Sequence, residues 1–221
     1  FLMKKIFLFT LTIMIFYSCE NEPVFNPSDY NSDLTITQNL NNGVSVLQIL
    51  QNNNPSSFYG IEYGGGYIFH VNESSGELIV ATDYSEIGNV AWGDVFELDT
   101  SFLIGDGDLN SESIILGNQN DNSTNGTEFG NDDYAFKIVS DLTHLGYDDW
   151  FIPSSNSMAA IYQNIHSIES GNFDESLIYW SSTKEGYFPY VMAFNFESWG
   201  GLPLPGSCLD VNGILIARKI Q

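Results

Sequence analysis

The chain has 221 residues, 43% of them apolar, and carries four Trp, twelve Tyr, sixteen Phe and twenty Gly. Such a composition excludes wholesale disorder and predicts a turn-rich, partly β protein with enough length for one good core or two small ones. Six Lys and Arg against 28 Asp and Glu give a net charge of −22 although only 15% of residues are charged; with no basic face to neutralise phosphate or sulfate, nucleic acid and heparin-like polyanions are excluded as partners.

In chain order, Met3 is the expected start, and Lys4-Lys5 precede an apolar run from Ile6 to Tyr17. That run is shorter than the roughly 20 residues a spanning helix needs, but it has the charged-then-apolar form of a signal peptide. It ends at Ser18-Cys19, a small residue before Cys that resembles the lipobox of bacterial lipoproteins. Residues 1–18 are therefore expected to be removed. Cys19 would become an acylated N-terminus, holding the protein on a membrane at about 0.8 kcal/mol per buried methylene. Cleavage would take away Lys4 and Lys5, leaving Lys137, Lys184, Arg218 and Lys219 against 28 acids, a net charge of −24. Cys208 would be the sole remaining thiol, which excludes an internal disulfide. None of the three His stands near it in sequence, so it reads as a bystander.

Residues 19–42 are polar, hold two Pro and show little periodicity. They read as a lipidated Cys and linker leading to a domain over 43–221. Val44 to Leu50 predicts a short helix. Gly64-Gly65-Gly66 opens a hairpin of Tyr67–Val71 and Leu78–Ala81 around the turn Asn72–Gly76. A phosphate cradle is excluded there, because no Gly-Lys-Ser/Thr follows and a strand comes next. Residues 105–133 are low in complexity and read as a long loop. Tyr134, Ile138, Leu142 and Leu145 keep helical spacing, with Gly146 as the expected C-cap. A second helix is predicted after Pro153, capped by Ser154. Further strands are predicted at Leu177–Trp180, Tyr190–Phe196 and Gly213–Arg218. Strands interrupted by two helices predict an α+β fold.

Several segments together resemble one family. Tyr147-Asp148-Asp149-Trp150-Phe151-Ile152-Pro153-Ser154 and Tyr179-Trp180-Ser181-Ser182-Thr183 are similar to the two signature motifs of the Lcl C-terminal domain family, found in a bacterial collagen-like adhesin. Tyr63-x-Gly65-Gly66-Tyr67-Ile68-Phe69, Ile104-Gly105-x-Gly107-x-x-Asn110 and Ala217-Arg218 follow the family's order. The likeness covers about Tyr59 to Ile220. It implies a C-type-lectin-like fold of twisted antiparallel sheets, two main helices and long loops, and a role in ligand binding. Ser157-Met158 stand where the family often has Glu-Leu, and Leu215 replaces an Arg. The adhesin's glycan binding goes with positive charge, which this chain lacks. The fold also includes a formylglycine-generating enzyme, but that chemistry needs a cysteine pair, and here Cys208 stands alone.

Candidate ligand platforms are the large rings Trp150, Trp180 and Trp199; core packing is the alternative for the first two, and glycines flank the third. Asp106, Asp108, Asn110 and Glu112 place oxygens at alternate positions, as calcium loops do, and Asp132 and Asp133 could complete a shell. His70, His144 and His166 share no metal-ligand spacing. The expected function is a lipid-anchored protein of the bacterial cell envelope, in the outer membrane, not an enzyme, whose lectin-like domain binds a glycan or an envelope protein. The alternative is a saccharide hydrolase drawing paired carboxylates from the acidic segment.

Overall fold

The computed structural model describes residues 29–93, 95, 98–120, 133–194, 201–208 and 210–221. Its elements in chain order are α1 (Ile36–Asn41), α2 (Val46–Leu50), β1 (Glu62–Tyr63), β2 (Gly66–Val71), β3 (Leu78–Thr82), β4 (Val90–Ala91), α3 (Gly107–Asn120), α4 (Ala135–Ser140), α5 (Ser155–Asn164), β5 (Ile178–Glu185), β6 (Phe188–Ala193), β7 (Leu204–Pro205), β8 (Val211–Asn212) and β9 (Ile216–Ile220). All strand pairs are antiparallel, in sheets of order β1-β2-β3-β9, β4-β8 and β5-β6-β7. The fold is α+β, as the alternation of patterns predicts.

The fold begins earlier than composition suggests. α1 and α2 each open on a reciprocal capping box, Thr35 with Gln38 and Ser45 with Gln48. Helices this short do not persist alone in water; packing holds them. Leu40, Val44 and Ile49 are buried beside Phe58, Ile68 and Val80. Buried Asn39 donates to the carbonyls of Asn31, Leu34 and Thr35. The stretch 29–42 therefore belongs to the domain and not to a linker. Within it, Thr35 and Gln38 act as a helix cap and Asn39 ties down the preceding turn.

The four-stranded sheet is covered on both faces, which is why all of β3 is buried. Alternation sorts its side chains: Leu78 and Val80 face the α1–α2 layer, while Ile79 and Ala81 face α5 with Met158 and Ile161. A bulge between Ile68 and His70 adds one residue to β2. Phe69 can thus point toward α5 while Ile68 and Val71 both reach the opposite layer. The β1–β2 turn is Gly64-Gly65, with φ of 59° and 91°, and two successive positive φ values favour glycine in such a hairpin. A Cβ on Gly66 would stand 2.7 Å from the Ala81 carbonyl oxygen.

Two other expectations change. Half of the supposed loop over 105–133 is helix, because α3 runs through Gly107–Asn120 and buries Ile114 against Trp92 and Phe136. The helix expected to reach Leu145 stops with α4 at Ser140. Leu145 and Gly146 instead form a two-residue turn with φ of 54° and 82°, closed by hydrogen bonds between His144 and Tyr147. Periodicity is blind to that ending, since Leu142 and Leu145 are apolar for separate reasons. α5 begins as expected, the Ser154 hydroxyl accepting from the Ser157 amide at 3.3 Å.

Arg218, on β9, ties three distant segments together. Nε and Nη2 donate to the two oxygens of Asp149 at 2.6 and 2.9 Å, and Nη1 donates to the Gly64 carbonyl at 2.9 Å. Its guanidinium lies 3.7 Å from the Tyr147 ring centroid. Hydrogen bonds from Arg218 hold the Asp149 carboxyl below the usual carboxylate range. A depressed carboxyl contributes stability that is present above its unfolded pKa of about 4 and is lost as pH falls through the folded value. In urea melts, Arg218→Met should cost roughly 1–3 kcal/mol, because the Gly64 carbonyl and Asp149 lose their donors. Asp149→Asn, which replaces a half-exposed carboxyl, should cost about 0.5–1 kcal/mol at neutral pH, and its deficit against wild type should shrink as pH falls below the unfolded value of about 4. A deficit that persists unchanged in acid would show that the ion pair is not its cause.

Candidate functional site

The residues singled out in the sequence separate by location. Cys19, Trp199 and Asp132 lie outside the described residues. Trp180 and Trp150 are buried, at 0% and 4% exposure, so neither offers a ring face to a ligand. The Trp180 indole donates to the Val90 carbonyl at 2.7 Å, and Trp92 returns the favour to the Ser181 carbonyl at 2.9 Å. Trp150 donates to the carbonyls of His144 and Tyr147. Both motif tryptophans are core residues whose polar edge is satisfied by backbone.

The alternating acids meet a helix instead of a loop. Successive helical residues are about 100° apart, so alternate positions diverge. Asp106 accepts from the Ser101 hydroxyl at 2.5 Å, Asp108 pairs with Lys219 at 2.8 Å, and Glu112 and Asp133 are exposed. Asn110 is buried; its Oδ1 accepts from the Ser101 amide, and its Nδ2 donates to the Ser101 carbonyl and the Ser182 hydroxyl. Among the described residues, no group of three or more His, Cys, Asp or Glu converges as a metal shell would. Asp106, Asp108 and Asn110 hold the start of α3 in place.

The motif hydroxyls are likewise turned inward. Thr183 Oγ1 accepts from the Ser155 amide and donates to the Ser101 carbonyl. Ser154 donates to the Leu103 carbonyl, and the Ser157 hydroxyl accepts from the Gly105 amide. The glycine, Pro-Ser and Trp-Ser-Ser segments thus share one buried polar network.

A surface site adjoins the Arg218 joint. Two adjoining cavities of about 260 and 580 Å³ flank the Gly64–Gly66 turn and share Glu62 and Gly65 in their walls. The smaller is lined by Tyr67, Asp83, Tyr84 and His144, and the larger by Tyr63, Tyr147 and Arg218. Strand register explains the gathering. Glu62 stands opposite Tyr67, and Tyr67 opposite Ala81; Asp83 is two residues beyond Ala81 and shares its face. Tyr84 reaches the groove from the strand's exit, its ring 4.2 Å from that of His144. Burial first, then the Asp83 and Glu62 carboxylates, push the Tyr67 phenol above its ordinary pKa. The groove therefore combines aromatic faces with hydrogen-bond acceptors.

Of these residues the sequence reading quoted Tyr63, Tyr67, Tyr147 and Arg218 as motif positions, and missed Glu62, Asp83 and Tyr84. Their signal is spacing across strands, which needs a register to be read. The remaining histidines have structural surroundings. His70 is half-buried, and burial lowers its pKa; His166 lies 3.2 Å from Glu175 and against Tyr162 and Phe194. Cys208 is half-buried and packs on the core that holds Trp92. No protein-family model matches the chain, and no curated protein matches it.

The acidic segment yields a prediction. Asn110→Ala should destabilise by roughly 2–3 kcal/mol, since it strands the Ser101 amide and carbonyl in a buried setting. Glu112→Ala should stay within about 0.5 kcal/mol. Denaturant melts of the two variants check the ranking, and equal effects would contradict the assignment of Asn110 to the fold.

Proposed function

We propose that the chain is an acidic lipoprotein of the bacterial cell envelope whose domain is lectin-like and binds a glycan without turning it over. The observation that carries this reading is the groove beside Gly64–Gly66, with Tyr63, Tyr67, Tyr84 and Tyr147 alongside the carboxylates of Glu62 and Asp83. A pyranose presents an apolar C–H face that packs on such rings and a rim of hydroxyls that donate to such acceptors. Its walls fit the general form of a small-ligand site, apolar surface with a few convergent polar groups.

The C-type-lectin-like assignment is part of the proposal. Its support is that segments resembling the family's motifs, spread from Tyr63 to Arg218, meet at two contacts. One is the Gly64–Asp149–Arg218 joint; the other is the Asn110–Ser182 and Ser155–Thr183 network. The hydrolase alternative drew its carboxylates from the acidic segment. Asp106 and Asp108 there have their own partners in Ser101 and Lys219, and the binding reading is preferred.

Two experiments test this reading. In a glycan-array screen of the full mature chain in detergent, Tyr67→Leu should lower affinity for the best ligand at least about tenfold, or about 1.4 kcal/mol. Leucine keeps the apolar packing against the α5 layer, so the melting temperature should move little; undiminished binding would remove the groove from the site. Separately, Cys19→Ala should leave the membrane fraction for the soluble one, or accumulate as an uncleaved precursor. A processed variant that stays in the membrane would overturn the lipid anchor.

A further inference from the structure

We infer that the groove selects saccharides carrying a protonated amine over their neutral or anionic counterparts. This rests on the groove being the binding site. The molecule itself shows what a ring beside a carboxylate takes. Arg218 lies with its cation over the Tyr147 ring, 3.7 Å from the centroid, while pairing with Asp149 at 2.6 Å. Cations favour the electron-rich face of an aromatic ring, and a carboxylate alongside completes the charge.

The same side-chain types recur across Gly65, where no lysine or arginine lines the smaller cavity. Tyr67 and Tyr84 line the smaller cavity together with Glu62 and Asp83. Both carboxylates act electrostatically on the Tyr67 phenol, so they share one neighbourhood. Asp83 Oδ2 accepts from the Asn172 amide at 2.8 Å, which orients the carboxylate without neutralising it. Each lysine and arginine beyond the N-terminal apolar run is engaged by another group, Arg218 while lining the adjoining larger cavity. Lys137 pairs with Asp141, Lys219 with Asp108 and Arg218 with Asp149, while Lys184 is buried and donates to the Gly186 carbonyl. His144, against Tyr84, is the remaining basic ring in the wall. In the smaller cavity an anionic sugar would meet two carboxylates, with side-chain donors only from hydroxyls and His144 and no lysine or arginine in the wall. A neutral sugar would satisfy the acceptors but leave their charge unmatched. An ammonium group on a pyranose meets both needs, and its C–H face still packs on a tyrosine. A lysine peptide also brings ammonium groups, but its flexible stem loses more entropy on ordering than a rigid sugar ring does.

The test compares a β-linked glucosamine tetramer with the N-acetylglucosamine tetramer, by calorimetry on the full mature chain in detergent at about pH 6. The amine form should bind at least about tenfold tighter at about 0.05 M salt, and the advantage should shrink at about 0.5 M as charges are screened. The Glu62→Gln/Asp83→Asn pair removes two of 28 acids, so diffuse attraction to the chain would hardly change. The inferred preference should fall below about threefold. An equal or tighter acetylated tetramer that still depends on Tyr67 would overturn amine selection and leave the groove as a glycan site. A preference untouched by the double variant would reduce it to bulk charge. A tetralysine peptide binding as tightly as the amine tetramer would reassign the site to peptide. Binding of either sugar that ignores Tyr67→Leu would remove the groove reading itself.

Discussion

The architecture depends on one guanidinium. Arg218 has a planar fork of donors, and three point at fixed acceptors on two other segments, the Gly64 carbonyl and the Asp149 carboxylate. Lysine, a compact point charge, could not reproduce the two parallel hydrogen bonds to Asp149. Because the Gly64-Gly65 turn is thereby tied to the segment that carries Tyr147 and Trp150, the wall of the groove and the edge of the core are positioned by the same contact. The closeness is tight: a Cβ on Gly65 would come within 3.0 Å of the Tyr147 ring. The glycine run belongs to this closure, and its resemblance to a phosphate loop is only compositional.

A second constraint is the burial of polarity. Ser154, Ser157, Ser181, Ser182, Thr183 and Asn110 are buried, and most of their polar atoms meet backbone amides or carbonyls from segments without regular structure. Loops crossing a core bring unpaired backbone groups with them, and short hydroxyls and amides satisfy these at little volume. The reciprocal donation of Trp92 and Trp180 does the same for the β4–β5 approach. A motif rich in serine and tryptophan thus looks like a binding patch and acts as an internal scaffold. The ligand contacts have to come from residues that this scaffold leaves at the surface, and the groove is where acceptors and rings gather.

Charge works with that division. The acids far outnumber the bases, and the few bases are used as joints: Arg218 on the hairpin, Lys219 on the first turn of α3, Lys137 within α4. Lys184 is desolvated, and burial lowers its pKa. With its cations placed in structural roles, the surface is left with uncompensated carboxylates, which sets the sign of any charge that a partner can bring to it.

What local patterning alone determined is considerable. The Tyr67–Val71 and Leu78–Ala81 hairpin, the Ser154-capped α5 and the strands β5, β6 and β9 are each legible from period, turn residues and caps, because those signals act within a few residues. The α+β class follows from their order. Tertiary structure decided the rest. Whether residues 36–41 form a helix depended on Leu40 finding the face of β2 and β3, and α3 on Ile114 reaching Trp92; their own sequences are polar enough to read as loop. The end of α4 was set by the His144–Tyr147 turn, which no helical period contains. The groove was least legible of all. Glu62, Tyr67 and Asp83 come together only through cross-strand register, and Tyr147 only through Arg218. Such contacts join residues from 62 to 218, and a linear pattern carries no information about which distant positions will pair.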